Sequence, residues 1–421
     1  MRGDSILDRI DWTTVLLYSA MVVLGWFSIF AAVYDEESTT DLFSFSLNPG
    51  KQLIWIGTSI ILIIGVMSID FKFYNSFGFI IYGVFLLMLI SVLLFGREVA
   101  GSRSWFEIGS LRLQPSEFMK FATALALASF LGNINVKMQQ LKTQLIAGAI
   151  ILAPMILIVL QGDTGSAMVY ASFFIVLFRE GLSPIYFILG FGLIILFILT
   201  LLVSKTVLFI SMGVLCLVMI GASVKKPKRI LVTVIVGIAV FFTIVSVDFI
   251  MNEVLKPHQR SRVISLINPD ADPLGAGWNV TQSKIAIGSG GFFGKGYLEG
   301  TQTKFDFVPE QSTDFIFCTM GEEMGWLGSF VLVALFVTFL IRISMIAERQ
   351  KSKFARIYGY GVLSVIFFHF SVNIAMTIGL FPVIGIPLPF FSYGGSSLWS
   401  FTVLLFILLK LDSERMQVLM R

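Results

Sequence analysis

The chain has 421 residues, of which 56% are hydrophobic and only 13% charged, with a mean hydropathy of +0.89. A soluble domain of this size carries about twice that charged fraction, so a cytosolic enzyme, a nucleic-acid binder and a secreted protein are excluded. The net charge of +4 says little about partners, because loop charges in such a chain report topology.

Apolar runs recur from Trp12 to Leu411. They are long and apolar on all faces, which marks spanning helices rather than the short alternating strands of a membrane barrel. The first run, Trp12 to Val33, is too long for a signal-peptide core and reads as an uncleaved span. Further spans are expected near 52–69, 76–95, 116–132, 143–160, 165–178, 185–203, 206–224, 230–251, 315–341, 358–380 and 396–411. The fold class is therefore an all-α polytopic integral membrane protein with about 12 transmembrane helices. It forms one multi-pass domain over residues 1–421, with both termini on one side. Cys216 and Cys318 fall inside apolar stretches and read as packing residues, not as a disulfide. The sequon at Asn279-Val280-Thr281 is a bare three-residue match and carries no weight.

Charge sets the orientation. Lys137 and Lys142, then Lys225, Lys226, Lys228 and Arg229, then Arg349, Lys351, Lys353 and Arg356 fall on the side of the termini, which is the cytoplasm by the positive-inside rule. The loop at 34–51 carries Asp35, Glu36, Glu37 and Asp41 against Lys51 and faces outward. The outer loop at 96–115 breaks the rule, with Arg97, Arg103 and Arg112 against Glu98 and Glu107. Either it simply tolerates those charges, or its cations bind an anion.

Ionisable residues inside spans are costly and mark function by default. Glu117 and Lys120 lie three apart on one helical face, as a self-neutralising pair or as a site. Asp163 sits in the turn Gln161-Gly162-Asp163-Thr164-Gly165, where capping chemistry is the favoured reading. Glu322 and Glu323 enter the tenth span, and His369 lies in a run of Phe and Ile as a hydrogen-bonded core residue.

The long outer segment at 252–314 exceeds a simple connector, and its aromatics and glycine clusters argue for order. The irregular segment from Phe381 to Ser397 is tolerated at membrane depth only where protein buries it or water lines it. The run Gly288 to Gly296 invites a phosphate-loop reading and fails it: Ser289 stands where the motif needs Gly, and Gly296 where it needs Ser or Thr. Asp270 and Asp272 beside Pro273 read as turn residues or as a weak metal signal.

Several stretches resemble the SEDS family (shape, elongation, division and sporulation), and within it the rod-shape-determining branch. They are Gly101-Ser102-Arg103-Ser104-Trp105, Gln114-Pro115-Ser116-Glu117 with Lys120, and Asp272-Pro273-Leu274-Gly275-Ala276-Gly277 continuing through Gln282-Ser283-Lys284 to Gly296. Further on come Val308-Pro309-Glu310, Thr313-Asp314-Phe315-Ile316-Phe317, Gly385-Ile386-Pro387-Leu388-Pro389 and Ser392-Tyr393-Gly394-Gly395.

The resemblance implies a peptidoglycan glycosyltransferase that polymerises lipid II on the outer face of the bacterial cytoplasmic membrane, during cell elongation. Its partners would be a class B penicillin-binding transpeptidase and other elongation-complex membrane proteins. It places the family's essential outer-loop aspartate on Asp272, and its polar pair on Glu117 and Lys120. It also implies a ten-span core, so the helix pair at 185–229 would be extra.

The resemblance also implies that the sugar linkage inverts, which fits one direct displacement with one base. Asp272 serves as general base to the acceptor hydroxyl, or as ligand to a divalent cation (Mg or Mn), with no nucleotide or organic cofactor. Arg103, Lys120, Arg260 and Arg262 would offset pyrophosphate charge, Glu117 would orient Lys120, and Gln282, Ser283 and Lys284 would line the substrate site. A lipid II flippase is the alternative, and a non-catalytic scaffold the third reading.

Overall fold

A computed structural model describes residues 6–34, 47–99, 101–109, 111–223, 227–254, 260, 276–304 and 307–416. Asp270, Asp272 and Arg262 lie outside the described residues. The chain divides into two compact units: Met1–Leu182 with Asn279–Arg421, and Ser183–Trp278.

In the first unit a short helix α1 (Ile6–Arg9) precedes α2 (Trp12–Val33). Asp11 caps α2, its carboxylate accepting from the Thr14 N–H at 3.1 Å. Then come α3 (Asn48–Ser68), with Pro49 in its first turn, and α4 (Phe71–Phe95), capped by Asp70. A three-stranded antiparallel sheet follows, of β1 (Arg97–Val99), β2 (Ser102–Ile108) and β3 (Leu111–Leu113), in the order β1-β2-β3. This small sheet occupies what the hydropathy pattern marks only as a loop, so the fold is not wholly helical.

Pro115 opens α5 (Pro115–Leu131), followed by α6 (Leu141–Leu160), α7 (Thr164–Val169), one 3₁₀ turn (Tyr170–Ser172) and α8 (Phe173–Arg179). The second unit holds α9 (Pro184–Leu202), α10 (Lys205–Ala222) and α11 (Pro227–Phe249), which ends in a π-helical turn (Ile250–Val254). Phe209 of α10 meets Phe241 of α11 at 5.2 Å between ring centroids. The side chains of α9 and α10 are exposed along most of their length, as contact with lipid requires. Helix α12 (Ala276–Ser289) belongs to the first unit from Asn279 onward, as do α13 (Thr301–Lys304), α14 (Ile316–Glu348), α15 (Lys353–Thr377) and α16 (Gly395–Ser413).

Among the described residues, ten helices are long and apolar enough to cross a membrane: α2, α3, α4, α6, α9, α10, α11, α14, α15 and α16. The other two expected spans are helical but shorter. Helix α5 has 17 residues, and 165–178 is broken by the 3₁₀ turn.

Helix α5 is the axis of the first unit. Its alanines, Ala122, Ala124, Ala126 and Ala128, are all buried. Small side chains let neighbouring backbones close in where lipid supplies no hydrophobic drive. Gly361 of α15 faces Ala124, and Gly78 of α4 faces Leu125 and Ser129. Helices α15 and α16 are buried over most of their length, and with α2, α5 and α14 they contribute most of the core.

The two ends of this unit differ. One bears both described chain ends and an ion network: Asp11 pairs with Arg342 at 2.6 Å and Arg349 at 2.9 Å, while Asp412 pairs with Arg349 and with Arg415 at 3.0 Å. The sheet and the irregular segments 290–304, 307–315 and 381–394 gather at the other.

Candidate functional site

At the loop-bearing end, Pro115 starts α5 immediately after β3, so Glu117 and Lys120 fall within its first two turns. Both are buried; Lys120 is only 1% exposed. The Lys120 ammonium donates to Glu117 Oε2 at 2.8 Å and meets His369 Nε2 of α15 at 3.0 Å. It also stands 4.6 Å from the centroid of the Phe401 ring. Ser400 of α16 donates to Glu117 Oε2 at 3.4 Å. Three helices thus pool polar groups around one cation, which is how charge is tolerated at membrane depth. The pair expected from sequence is present, but its third member, His369, comes from 249 positions downstream.

Asp163 caps α7 through the Ser166 N–H at 3.0 Å, as expected, and its other oxygen accepts from Gln114 Nε2 at 2.8 Å. That bond ties the α6–α7 turn to the residue preceding α5.

The segment 381–394 descends from the same end and is buried by protein: Ile384, Ile386, Leu388, Phe390 and Phe391 are all buried. Its Pro387 carbonyl reaches His369 Nδ1 at 3.1 Å. Asn373 of α15 donates to Ile386 O at 2.8 Å and to Asp314 O at 2.9 Å, and Ser392 donates to Thr313 O at 2.6 Å. Phe390 holds a left-handed backbone (φ 64°), and its ring is clamped edge-on by Tyr18 at 5.1 Å and Phe339 at 5.6 Å. Packing on several sides is what sustains such strain.

The glycine run serves the backbone of α14. That helix breaks at Gly325 (φ 65°, ψ −159°), and the turn 290–296 fills the gap. Lys295 and Gly296 donate their N–H groups to the carbonyls of Glu322 and Glu323, and Gly291 and Phe292 accept from the N–H groups of Trp326 and Leu327. Every strand of that exchange needs close backbone approach. A Cβ on Gly294 (φ 82°) would lie inside the van der Waals shell of Glu323 O.

Beside the break, the buried Glu322 carboxylate accepts the N–H groups of Thr301 (2.8 Å), Gln302 (2.9 Å) and Thr303 (3.0 Å), and pairs with Lys295 at 2.6 Å. It anchors the first turn of α13. Glu323 is buried too, and its Oε1 has no hydrogen-bond partner among the described residues. Tyr297, which donates to Phe27 O, has its hydroxyl pushed up to about 12 by burial and by the nearby Glu323 charge.

The three-stranded sheet resolves the cation question arginine by arginine. Glu107 lies opposite Arg112 across β2 and β3, pairs with it at 2.9 Å, and also pairs with Arg97. Arg103 is exposed and has no ion-pair partner among the described residues; its N–H donates to Gln161 O at 2.8 Å. On α12, Ser283 is buried and donates to Thr377 O at 2.9 Å, Gln282 is buried, and Lys284 is exposed with its stem against Gly379. Arg260 is exposed. Among the described residues, no group of three or more His, Cys, Asp or Glu side chains is arranged to hold a metal ion.

The family model FTSW_RODA_SPOVE, described as "Cell cycle protein", matches residues 10–211 and 204–417. The chain is 32% identical over 447 aligned positions to the peptidoglycan glycosyltransferase RodA of Treponema pallidum (strain Nichols), covering 99% of this chain and 100% of that protein. It is 32% identical to the peptidoglycan glycosyltransferase MrdB of Escherichia coli (strain K12), covering 93% of this chain and 90% of that one. A solved structure described as "Structural coordination of polymerization and crosslinking by a peptidoglycan synthase complex" superposes with a TM-score of 0.69 at 25% identity, over 97% of this chain and 99% of that one. The crystal structure of the rod shape determining protein RodA of Thermus thermophilus, at 23% identity and a TM-score of 0.63 over 96% of this chain and 97% of that one, shares the fold. The chain belongs to the FtsW/RodA/SpoVE family of multi-pass membrane proteins, the SEDS family.

Proposed function

We propose that this chain is a peptidoglycan glycosyltransferase, polymerising lipid II into glycan strands at the outer face of the cytoplasmic membrane during cell elongation. The observation that carries this reading is the end-to-end match to relatives named peptidoglycan glycosyltransferase. A class B penicillin-binding protein is the proposed partner, supported by the likeness to a chain of a peptidoglycan synthase complex. The end bearing both described chain ends faces the cytoplasm; its basic residues Arg349, Lys351, Lys353 and Arg356 support that. The loop-bearing end then faces outward, where the substrate's pyrophosphate and sugars lie. We also read the pair α9 and α10 as an addition to a ten-span core.

Each lipid II carries an anionic pyrophosphate at the membrane interface and a disaccharide peptide beyond it. The pyrophosphate leaves with its negative charge, so it needs charge stabilisation more than a proton. Arg103, exposed and without an ion-pair partner among the described residues, suits direct contact with it. Lys120, buried and paired with Glu117, is assigned the task of adding positive potential to the site, with Glu117 setting its direction. Arg260, Arg262, Gln282, Ser283 and Lys284 complete the substrate-binding set.

The acceptor hydroxyl becomes nucleophilic as its proton leaves. Asp272 takes that proton as general base in a single inverting displacement. In a variant of this scheme Asp272 would hold a divalent cation, Mg or Mn, which would neutralise pyrophosphate charge. Asp272 lies outside the described residues, among which no group of three or more His, Cys, Asp or Glu side chains is arranged to hold a metal ion.

The alternative, a lipid II flippase, calls for a polar cavity at mid-membrane. The Glu117, Lys120 and His369 side chains are instead packed against one another and buried.

The test is lipid II polymerisation by purified protein in liposomes, wild type against Asp272→Ala, each with and without a class B penicillin-binding protein. Strands from wild type alone support the reading. Equal product from both removes Asp272 from the chemistry, and no product from either with active controls favours transport.

A further inference from the structure

We propose that His369 is a positioning residue, which fixes the direction of the Lys120 ammonium and couples it to the segment 381–394. The inference rests on the reading above, in which Lys120 serves the substrate's pyrophosphate.

The hydrogen-bond partners define the ring. The Pro387 carbonyl can only accept, so His369 Nδ1, 3.1 Å from it, carries the hydrogen. A protonated Lys120 can only donate, so Nε2, 3.0 Å away, offers its lone pair. The opposite tautomer would set donor against donor and acceptor against acceptor. The ring plane is held by Phe401, edge-on at 4.8 Å and 88°.

The consequence for Lys120 is geometric. Its ammonium sits on a stem with four rotatable bonds, and a single ion pair with Glu117 leaves it free to pivot about that oxygen. A second acceptor on another helix removes the pivot, and the Phe401 ring face at 4.6 Å closes a third side. The second acceptor is itself tied to a loop carbonyl. Asn373, one turn further along α15, holds the adjoining residue Ile386 of that loop and the Asp314 carbonyl. The cation and the loop therefore share one frame, and displacement of the loop would turn the imidazole against the ammonium.

Single substitutions separate the two bonds of the ring. A glutamine terminus lies near the place of Nε2 and can accept from Lys120; an asparagine terminus lies near Nδ1 and cannot reach it. In lipid II polymerisation His369→Gln is expected to stay near wild type. His369→Asn and His369→Leu are expected to lose turnover roughly ten- to hundredfold.

Because the chain has two histidines, ¹⁵N-histidine labelling of the wild-type protein reads the ring directly, even where variants fail to fold. An Nδ1-protonated, Nε2-accepting signal supports the proposal, and an Nε2–H ring or an imidazolium at neutral pH overturns it. His369→Leu at the wild-type rate, with Lys120→Met inactive, also overturns it and leaves the function of Lys120 standing. Lys120→Met at the wild-type rate overturns that function itself.

Discussion

Replacing Glu322 by glutamine tests whether one buried carboxylate holds the segment 290–304 against α14. The wild-type side chain accepts five hydrogen bonds from Thr301, Gln302 and Thr303, and one from Lys295. A carboxamide keeps one oxygen, which can serve Thr301, Gln302 and Lys295. It turns an NH2 toward Thr303, so the Thr303 N–H loses its charged acceptor and faces a donor, while the hydroxyl gives up its bond to a carboxylate and can only rotate to accept from the amide. Bonds to charged groups are worth about 1.5–3 kcal/mol each. Allowing for relaxation and partial rescue by water, the local opening free energy should fall by about 2–4 kcal/mol. That is roughly a thirty- to thousandfold rise in amide exchange.

Hydrogen exchange by mass spectrometry, on protein in detergent or nanodiscs, reads this at residues 301–303. Exchange there tracks the opening of the local unit rather than of the whole molecule. Amides in the middle of α15 should exchange as in wild type. A change below about threefold at 301–303 would refute the reasoning, and would mean that the backbone exchange at the α14 break holds the segment alone.

Three further outcomes follow from the same geometry. Lys120→Met strands the Glu117 carboxylate in the core and should cost about 3–5 kcal/mol; Glu117→Gln with Lys120→Met should recover most of the melting temperature while remaining inactive, and a double variant as unstable as the single would refute a buried ion pair. Gly294→Ala, with positive φ and its Cβ directed into Glu323 O, should lower the melting temperature clearly more than Gly291→Ala, which has positive φ but open space around it; equal effects would refute the plug at the α14 break. At the opposite end, burial alone would raise the Asp11 carboxyl, but hydrogen bonds from Arg342, Thr14 and Arg349 outweigh it and hold the group well below the usual carboxylate range. Its contribution is then fully present above about pH 4 and lost as pH falls through its depressed value. The melting-temperature gap between wild type and Asp11→Asn should stay constant from pH 5 to 8, and a gap that closes as pH falls through that range would refute the assignment.

The sequence alone determined most of what a bilayer enforces. A span must be long and apolar, so ten of the twelve spans expected from hydropathy are helices long enough to cross, including the pair α9 and α10. The basic clusters at 137–142, 225–229 and 349–356 set an expected orientation, because that bias acts locally in the chain. The cap at Asp163 was legible for the same reason: capping partners lie three residues apart. The Glu117–Lys120 pair was visible because helical periodicity brings residues three apart together.

What lay beyond reach depends on contacts between distant segments. Nothing in a lone histidine among phenylalanines indicates a lysine 249 positions away. The glycine run could be excluded as a phosphate loop by its residue types, but its task became visible only once the broken α14 presented carbonyls and N–H groups for it to satisfy. Of three arginines with similar sequence context, the sheet decided that Arg97 and Arg112 are neutralised by Glu107, while Arg103 has no ion-pair partner among the described residues. Local chemistry follows from spacing along the chain, whereas pairing across it is set by which backbones pack together, and only the tertiary structure decides that.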